Sequence, residues 1–144
     1  MLVSVRTATP GDEDAVRRLI GQLRAIESLD PALPPDAVSG YVGGGRHLLV
    51  AEKDGAVVGL LSLATLRDLF HGGENAFVQE LVVDATHRGR GVGGALLDSA
   101  VALAESLGCQ ELGLCTGADN VVAHGLYESR GLKRAGVYFE RHLG

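Results

Sequence analysis

Cysteine is scarce in this sequence, which contains only Cys109 and Cys115 among its 144 residues. Two cysteines are too few for the disulfide framework of a small secreted domain, and their spacing is not that of a C-x-x-C motif. We expect both to be reduced and mostly buried, as small apolar side chains. The sequence therefore predicts neither a disulfide-stabilised protein nor a cysteine-based metal site.

Long apolar runs and blocks of basic residues are also absent from the sequence. No segment is apolar over the roughly 20 residues that cross a bilayer. The N-terminus lacks the order of charged, apolar and small residues that defines a signal peptide. We therefore predict a cytoplasmic protein with no membrane partner. The formal net charge of −5, with no cluster of Lys and Arg, argues against a nucleic-acid partner.

The length of 144 residues is sufficient for one hydrophobic core without disulfides or metals. The composition, 46% hydrophobic and 22% charged, is ordinary for a globular protein. We predict a single domain over residues 1–144.

Hydrophobic periodicity predicts a mixed α/β protein. Helices are expected after Thr9, which can cap a helix that starts at Pro10, and near residues 36–42, 92–107 and 120–130. Asp54-Gly55 between two apolar runs is typical of a hairpin. The expected strands are residues 2–6, 47–52, 56–63, 76–83 and 112–114, with one or two more within residues 132–143. We predict a mixed α+β sheet of about six to seven strands, with about four helices on both faces.

A glycine-rich turn with two arginines joins the strand at residues 76–83 to the next helix. Residues 84–94 read Asp-Ala-Thr-His-Arg-Gly-Arg-Gly-Val-Gly-Gly. Backbone N–H groups at a helix start lack partners, and the helix dipole adds partial positive charge there. The turn therefore predicts a phosphate site. The N–H groups of residues 89–94 supply donors, and Arg88 or Arg90 can add charged hydrogen bonds.

The glycines of this turn also spell a dinucleotide-binding fingerprint, Gly89-x-Gly91-x-x-Gly94. The surrounding sequence does not match that motif, because antiparallel strands precede it and Glu111 stands at the start of the next strand rather than near its end. No Gly-Lys-Ser/Thr follows, which excludes a mononucleotide P-loop. A nucleotide-binding oxidoreductase domain is therefore the disfavoured alternative.

Read as Arg88-x-x-Gly91-x-Gly93, the turn resembles the acyl-CoA motif of the GNAT family of N-acetyltransferases, Gln/Arg-x-x-Gly-x-Gly/Ala at the same strand-to-helix turn. The resemblance covers nearly the whole chain. It includes the order of elements, Asn120 at the next helix start, and Tyr-Glu-Ser-Arg-Gly-Leu at residues 127–132. It implies acetyl transfer from acetyl-CoA directly to a primary amine of a small molecule or peptide, without a metal, and suggests a homodimer.

The resemblance also implies which residues hold coenzyme A. In the family, the strand that ends Leu81-Val82-Val83 splays from its parallel neighbour, and its free backbone binds the pantetheine arm. An N–H group near Val82 or Val83 is expected to polarise the thioester carbonyl. The predicted cofactor-binding residues are Leu81, Val82, Val83, Arg88, Gly89, Arg90, Gly91, Val92, Gly93, Gly94 and Asn120.

The resemblance makes Tyr127 the general acid that protonates the departing thiolate. Asn120 and Tyr127 are two helical turns apart and share a face, so a contact of Asn120 with the pantetheine arm would direct Tyr127 toward the thioester. The alternatives are that Asn120 only caps its helix and that Tyr127 only packs. His124, close to the same face, is another candidate acid.

Glu80 is the predicted general base. A carboxylate inside an apolar strand costs free energy to bury unless it has partners or a function, and burial of a carboxylate raises its proton affinity toward that of a useful base. His71, Asp68 and Glu74 in the preceding loop are rival bases, and a structurally paired Glu80 is the simpler alternative. The carboxylates of Asp68, Glu74 and Glu80 would together suit a cationic acceptor. A non-catalytic acyl-CoA-binding domain is the alternative function, although Tyr127 and Glu80 argue against it.

Overall fold

The computed structural model describes residues 2–144, and its centre is a five-stranded sheet in the order β1-β2-β3-β4-β5. The first four strands pair antiparallel, and β4 pairs with β5 in parallel. The strands are β1 (Ser4–Thr7), β2 (Arg46–Lys53), β3 (Ala56–Asp68), β4 (Gly73–Val83) and β5 (Leu112–Leu114). The α-helices are α1 (Glu13–Ile26), α2 (Val92–Ser106) and α3 (Val121–Ser129), with 3-10 turns at Pro10–Asp12 and Ala85–His87.

Local signals in the sequence are confirmed at two element boundaries. Thr9 and Asp12 form a capping box before α1, with Pro10 at the first position of the 3-10 turn. Asp54 and Gly55 have φ angles of 51° and 79°, and such left-handed residues form the two-residue hairpin turns that match strand twist. They join β2 to β3 as expected.

Helices cover both faces of the sheet, which confirms the predicted fold class. On one face α1 packs on β2, β3 and β4, and the buried residues are Val16, Leu19, Leu48, Val50, Leu60 and Val82. On the other face α2 buries a larger cluster that includes Leu61, Leu63, Ala76, Val78, Leu96 and Leu97, and Tyr127 of α3 packs against it. The unit β4-α2-β5 is parallel, as predicted.

The structure has fewer elements than the sequence predicts. Residues 36–42 form hydrogen-bonded turns instead of a helix; Pro34 and Pro35 precede them, and Gly40 lowers helix propensity inside so short a run. Residues 132–143 form no strand, because a strand requires a paired neighbour and these residues have none within the described chain. Within residues 2–144 there are thus five strands and three α-helices, in place of the expected six to seven strands and four helices.

The cysteines differ from the prediction in part. Cys109 is half-buried, and burial raises the pKa of its thiol. Cys115 is exposed, so the expectation of burial is wrong there, because β5 ends one residue earlier at Leu114. Within residues 2–144, no helix combines the length and the apolar character required to traverse a bilayer.

Candidate active site

The parallel strands β4 and β5 separate halfway along β4. Pairing joins Ala76 to Leu112 and ends with Val78 opposite Leu114, whereas β4 continues to Val83. In the described chain, residues 79–83 of β4 have β3 on one side and no strand on the other. This open edge offers unpaired backbone groups to an extended, amide-containing ligand. Leu81, Val82 and Val83 all lie on it.

A β-bulge at Gln79 determines which way Glu80 faces. Ser62 of β3 pairs with Glu80, but the next residue, Leu63, pairs with Val78, so Gln79 is left without a partner. Side chains alternate between faces along a strand, and a bulge shifts that alternation by one residue. Val78 belongs to the α2 side of the core, and Val82 belongs to the α1 side. Glu80, two residues before Val82, therefore faces α1.

The Glu80 carboxylate is held by Ser62, which is 1% exposed. The Ser62 hydroxyl donates to Glu80 Oε1 and accepts the Glu80 backbone N–H at 2.8 Å. Beside them, the Tyr41 hydroxyl donates to Gln79 Oε1 at 2.6 Å. Across the described residues, no Lys, Arg or His forms an ion pair with Glu80. The carboxylate is therefore positioned without being neutralised by a cation.

Glu80 lines a cavity of about 360 Å³ between α1, the chain around residues 29–41 and the sheet. Ser62 and Tyr41 also line it, and burial raises the pKa of Tyr41, with the nearby Glu80 charge adding to the effect. Most of the remaining wall is apolar and comes from Val16, Ile20, Leu23, Leu29, Leu33, Ala37, Val38, Leu48 and Leu60, together with Arg24 and Glu27. The cavity thus presents one half-buried carboxylate among apolar side chains.

The rival bases lie elsewhere, at the tip of the β3–β4 hairpin, and none of them lines this cavity. His71 is clamped between carboxylates, with Nδ1 3.0 Å from Asp68 Oδ2 and Nε2 2.6 Å from Glu111 Oε1. The hydrogen bond with Asp68 is the main reason that the pKa of His71 is raised. Glu74 pairs with Arg67 at 3.3 Å. The expected trio of acceptor-binding carboxylates is therefore not assembled, since only Glu80 faces the cavity.

The glycine-rich turn lies immediately before α2 and includes its first residues. Gly89 and Gly91 have φ angles of 75° and 83°, where other residues are strained, and a side chain there would meet no atom within 4 Å. No side chain caps α2, and its first turn contains no acid. Arg88 and Arg90 are exposed, and Arg88 Nε donates to the Val83 carbonyl at 3.3 Å. Free N–H groups, helix dipole and cations together fit a pyrophosphate.

Asp84 fixes this turn to α1, a role that the sequence analysis missed. Asp84 is buried, with 9% of the residue exposed, and its Oδ1 accepts from Arg18 and Gln22, each at 2.8 Å. Its Oδ2 accepts from the Thr86 hydroxyl and lies 2.9 Å from His87 Nδ1. The Thr86 hydroxyl, followed by Gln22 and His87, holds the pKa of Asp84 well below its usual range. Because Arg18 and Gln22 lie more than 60 residues away in sequence, no local motif indicated this contact.

Helix α3 carries the other two predicted site residues. Asn120 caps the helix, since its side chain accepts the Ala123 N–H at 3.2 Å; its contact with coenzyme A stays a prediction. Tyr127 packs against the core on the α2 side, and burial raises the pKa of its hydroxyl. His124 Nε2 donates to the Gly117 carbonyl at 2.9 Å, while its Nδ1 lies 3.0 Å from Arg134. Both ring nitrogens of that rival acid are therefore occupied.

Helix α3 also lies against the first turn of α2. A side chain on Gly93 would lie 3.3 Å from Leu126 Cδ2, and one on Gly94 would collide with the guanidinium of Arg130. Arg130 Nε donates to Asp98 of α2 at 3.2 Å. The small residues Gly93 and Gly94 thus allow α3 to approach the first turn of α2 closely. Arg130 adds a third cation beside this turn; the sequence analysis had used it only as part of the motif at residues 127–132.

Three comparisons with known proteins agree with this geometry. The family model described as Acetyltransferase (GNAT) family matches residues 22–132. Aminoalkylphosphonate N-acetyltransferase from Salmonella typhimurium is 31% identical over 139 residues, which is 96% of this chain and 90% of that protein. Aminoglycoside N(6')-acetyltransferase type 1 from Stenotrophomonas maltophilia is 29% identical over 145 residues, or 97% and 94% of the two chains.

The fold is shared with solved structures as well. A crystal structure of a transcriptional regulator from Bacillus halodurans C-125 superposes with a TM-score of 0.85, at 25% identity, over 99% of this chain and 100% of that one.

Proposed function

The chain belongs to the acetyltransferase (GNAT) family, and on that premise we propose that residues 1–144 form one domain that transfers the acetyl group of acetyl-CoA directly to a primary amine. The observation that carries the proposal is the open edge of β4. It begins beside Glu80 and ends beside the glycine-rich turn, so one side of a single strand links a phosphate site to a candidate base.

The residues that would hold the co-substrate follow from that edge. The turn from Arg88 to Gly94 and the start of α2 would bind the pyrophosphate, and Leu81, Val82 and Val83 would bind the pantetheine amides through their backbone. Asn120 would contact the same arm from α3. Acetyl-CoA would supply an activated acetyl thioester, whose carbonyl a backbone N–H near Val82 or Val83 would polarise.

Glu80 is the proposed general base. An alkylamine is protonated at neutral pH and must lose a proton before it can attack a carbonyl. Ser62 occupies Oε1 of the carboxylate, which leaves Oε2 to take a proton from an amine in the cavity, directly or through a water molecule.

Tyr127 is the proposed general acid. Its hydroxyl has a raised pKa because it is partly buried, so it is protonated at neutral pH. It would donate that proton to the sulfur that departs when the acetyl group is transferred. The side chain packs on the α2 face of the sheet while Glu80 faces α1, so the acid and the base approach the open edge from opposite sides.

The cavity favours a particular class of acceptor. Apart from Arg24 and the exposed Glu27 its walls are mostly apolar, and Glu80 is its one half-buried carboxylate, without an ion-pair partner in the described chain. This lining fits a monoamine with an apolar body better than a polyamine with several charges. The relatives named for aminoalkylphosphonates and aminoglycosides supply two further acceptors to compare. We propose an amine carried on an alkyl or arylalkyl chain.

Thiol release from acetyl-CoA across these amine classes tests the proposal. Glu80→Gln should lower kcat by about 10²–10⁴-fold and keep its Ser62 hydrogen bond. Glu74→Gln, at the far end of the same strand and outside the cavity, should leave kcat nearly unchanged. The deficit of Glu80→Gln should shrink as pH rises toward the pKa of the amine, because more of the amine is then already neutral.

Two further measurements separate the roles. Tyr127→Phe should slow turnover about 10²-fold without weakening cofactor binding, whereas Tyr138→Phe, at an exposed position, should leave turnover unchanged.

Acetyl-CoA at a hundredfold its Kd should stabilise the protein by about 2.7 kcal/mol, or about 9 °C in Tm at 144 residues. A shift with NAD and none with acetyl-CoA would contradict the proposal, and a shift without turnover on any amine would favour a binding domain.

A further inference from the structure

Arg24 of α1 lines the same cavity as Glu80. It follows the apolar residues Val16, Ile20 and Leu23, which also line the cavity, and a spacing of three and four residues places all of them on one face of the helix. Arg24 is half-buried. A positive charge therefore stands on the apolar stripe that forms one wall of the cavity.

Arg24 differs from the other arginines of α1 in having no carboxylate partner. Arg17 and Arg18 each pair with a carboxylate, at 3.6 Å and 2.8 Å. Arg24 forms no ion pair within residues 2–144, and its one side-chain hydrogen bond there runs from Nε to the Asp30 carbonyl at 2.5 Å. That hydrogen bond orients the guanidinium and leaves its two Nη groups available.

The carboxylates near Arg24 in sequence do not neutralise it. Glu27 also lines the cavity, but it is exposed and forms no ion pair with Arg24 in the described chain. The Asp30 carboxylate accepts the Ala32 N–H at 3.0 Å instead. Among the residues that the structure describes, the half-buried charges of the cavity are thus the guanidinium of Arg24 and the carboxylate of Glu80, neither paired with an opposite charge.

A ligand with one charge of each sign satisfies both groups. A charge among apolar side chains costs free energy unless an opposite charge accompanies it, and a guanidinium binds an oxyanion through two parallel N–H···O bonds. We propose that the acceptor is an amine whose chain ends in an oxyanion such as a carboxylate, bound by the Nη groups of Arg24 while the amine faces Glu80. Because the proposal rests on the acetyl transfer described above, Arg24 is a specificity-determining residue for that reaction.

The same charges disfavour a diamine. Its second ammonium group would face the guanidinium of Arg24, and like charges brought together in a binding site repel. A simple alkylamine avoids that repulsion but leaves Arg24 without an opposite charge. At equal chain length, the expected order of acceptors is therefore amino carboxylate, then alkylamine, then diamine.

Thiol release with γ-aminobutyrate, n-butylamine and putrescine, and with longer members of each series, tests this order. The wild-type kcat/KM should be about tenfold or more higher for the amino carboxylate than for the alkylamine. Arg24→Met should abolish that preference by raising KM for the amino carboxylate, with the alkylamine nearly unaffected, and Arg24→Lys should retain part of it. Arg67→Met, which removes a 72% exposed arginine outside the cavity, should leave the preference intact.

Other outcomes overturn the proposal. Equal kcat/KM for the three acceptor classes means that Arg24 selects none of them. An equal loss on both acceptors in Arg24→Met means that Arg24 only anchors the chain at Asp30, and a preference for diamines means that the exposed Glu27 selects the acceptor.

Acetyl transfer and this selectivity fail in different ways. Thiol release with any amine but without the preference supports the transfer and overturns only the role of Arg24. If no amine releases thiol, calorimetric titration with the amino carboxylates still tests the contact: binding about tenfold weaker in Arg24→Met than in the wild type supports it, and equal or undetectable binding in both overturns it.

Discussion

Replacing Asp84 by asparagine tests whether one carboxylate holds the glycine-rich turn against α1. Each oxygen of Asp84 faces at least two donors, Arg18 and Gln22 at Oδ1 and Thr86 and His87 at Oδ2. The amide of an asparagine must point its NH₂ at one of these pairs. With the NH₂ at the Oδ1 position, two hydrogen bonds become donor–donor contacts with Arg18 and Gln22. At the Oδ2 position the Thr86 hydroxyl and the His87 ring can turn to accept, but the hydrogen bond from the Thr86 N–H is lost and Arg18 loses its counter-charge.

The expected loss follows from those contacts. A hydrogen bond to a charged group contributes about 1.5–3 kcal/mol. The Arg18 side chain is 48% exposed and can be rehydrated, so the lower value applies to each of the two. Asp84→Asn should thus lower the free energy of unfolding by about 3 kcal/mol, which corresponds to about 10 °C in Tm for 144 residues. Asp98→Asn, whose carboxylate is 61% exposed and pairs only with Arg130, should cost about 0–1 kcal/mol.

Urea denaturation followed by far-ultraviolet circular dichroism measures the difference, since the chain has no tryptophan. The pKa of Asp84 is lowered in the folded state, so its contribution is present above the unfolded pKa of about 3.9 and is lost as pH falls through the folded pKa. The gap between wild type and Asp84→Asn should therefore narrow in acid. Two results would refute this account: a loss of unfolding free energy no larger than that of Asp98→Asn, or a difference between wild type and Asp84→Asn that does not change with pH.

Two other substitutions test packing and charge. Gly59→Ala places a methyl group 2.8 Å from Val92 Cγ1 and should lower the free energy of unfolding by about 1–3 kcal/mol. Gly125→Ala, inside α3 with open space around it, should raise the free energy of unfolding by about 0.5–1 kcal/mol. Changes of the same sign for both variants in urea denaturation would contradict this geometry. His71 has a pKa raised chiefly by Asp68, so its contribution is present below about pH 6.5 and is lost as pH rises through the raised pKa. The difference in the free energy of unfolding between wild type and His71→Gln should narrow as pH rises above about 6.5, and a constant difference would show that the ion pair is not its source.

Features encoded by a few adjacent residues could be predicted from the sequence. The Asp54-Gly55 hairpin, the Asn120 cap and the turn before α2 depend on local backbone preferences, and glycine at positions 89 and 91 carries the left-handed geometry that the turn requires. The two-faced sheet followed from periodicity, because each helix buries one apolar stripe.

Features that depend on distant partners could not be predicted. In the sequence, Asp84 was only the first residue of the glycine-rich turn. Its partners Arg18 and Gln22 lie on α1, which comes close to Asp84 only when the sheet has formed. The carboxylates of Asp68 and Glu74 were close to Glu80 in sequence, yet the hairpin holds them at its tip. Residues 132–143 have strand composition and form no strand, because composition favours a strand but does not supply the paired neighbour that a strand requires.

The bulge at Gln79 shows most clearly why the surroundings of Glu80 could not be predicted from the sequence alone. With regular alternation from Val78, Glu80 would face the α2 side of the core, where a carboxylate among Leu61, Leu63 and their neighbours would be unpaired and costly. The bulge turns it to the α1 side, where Ser62 binds one oxygen and the cavity receives the other. One extra residue in β4 thus places the carboxylate at the start of the strand's free edge, where we propose that it acts as the general base.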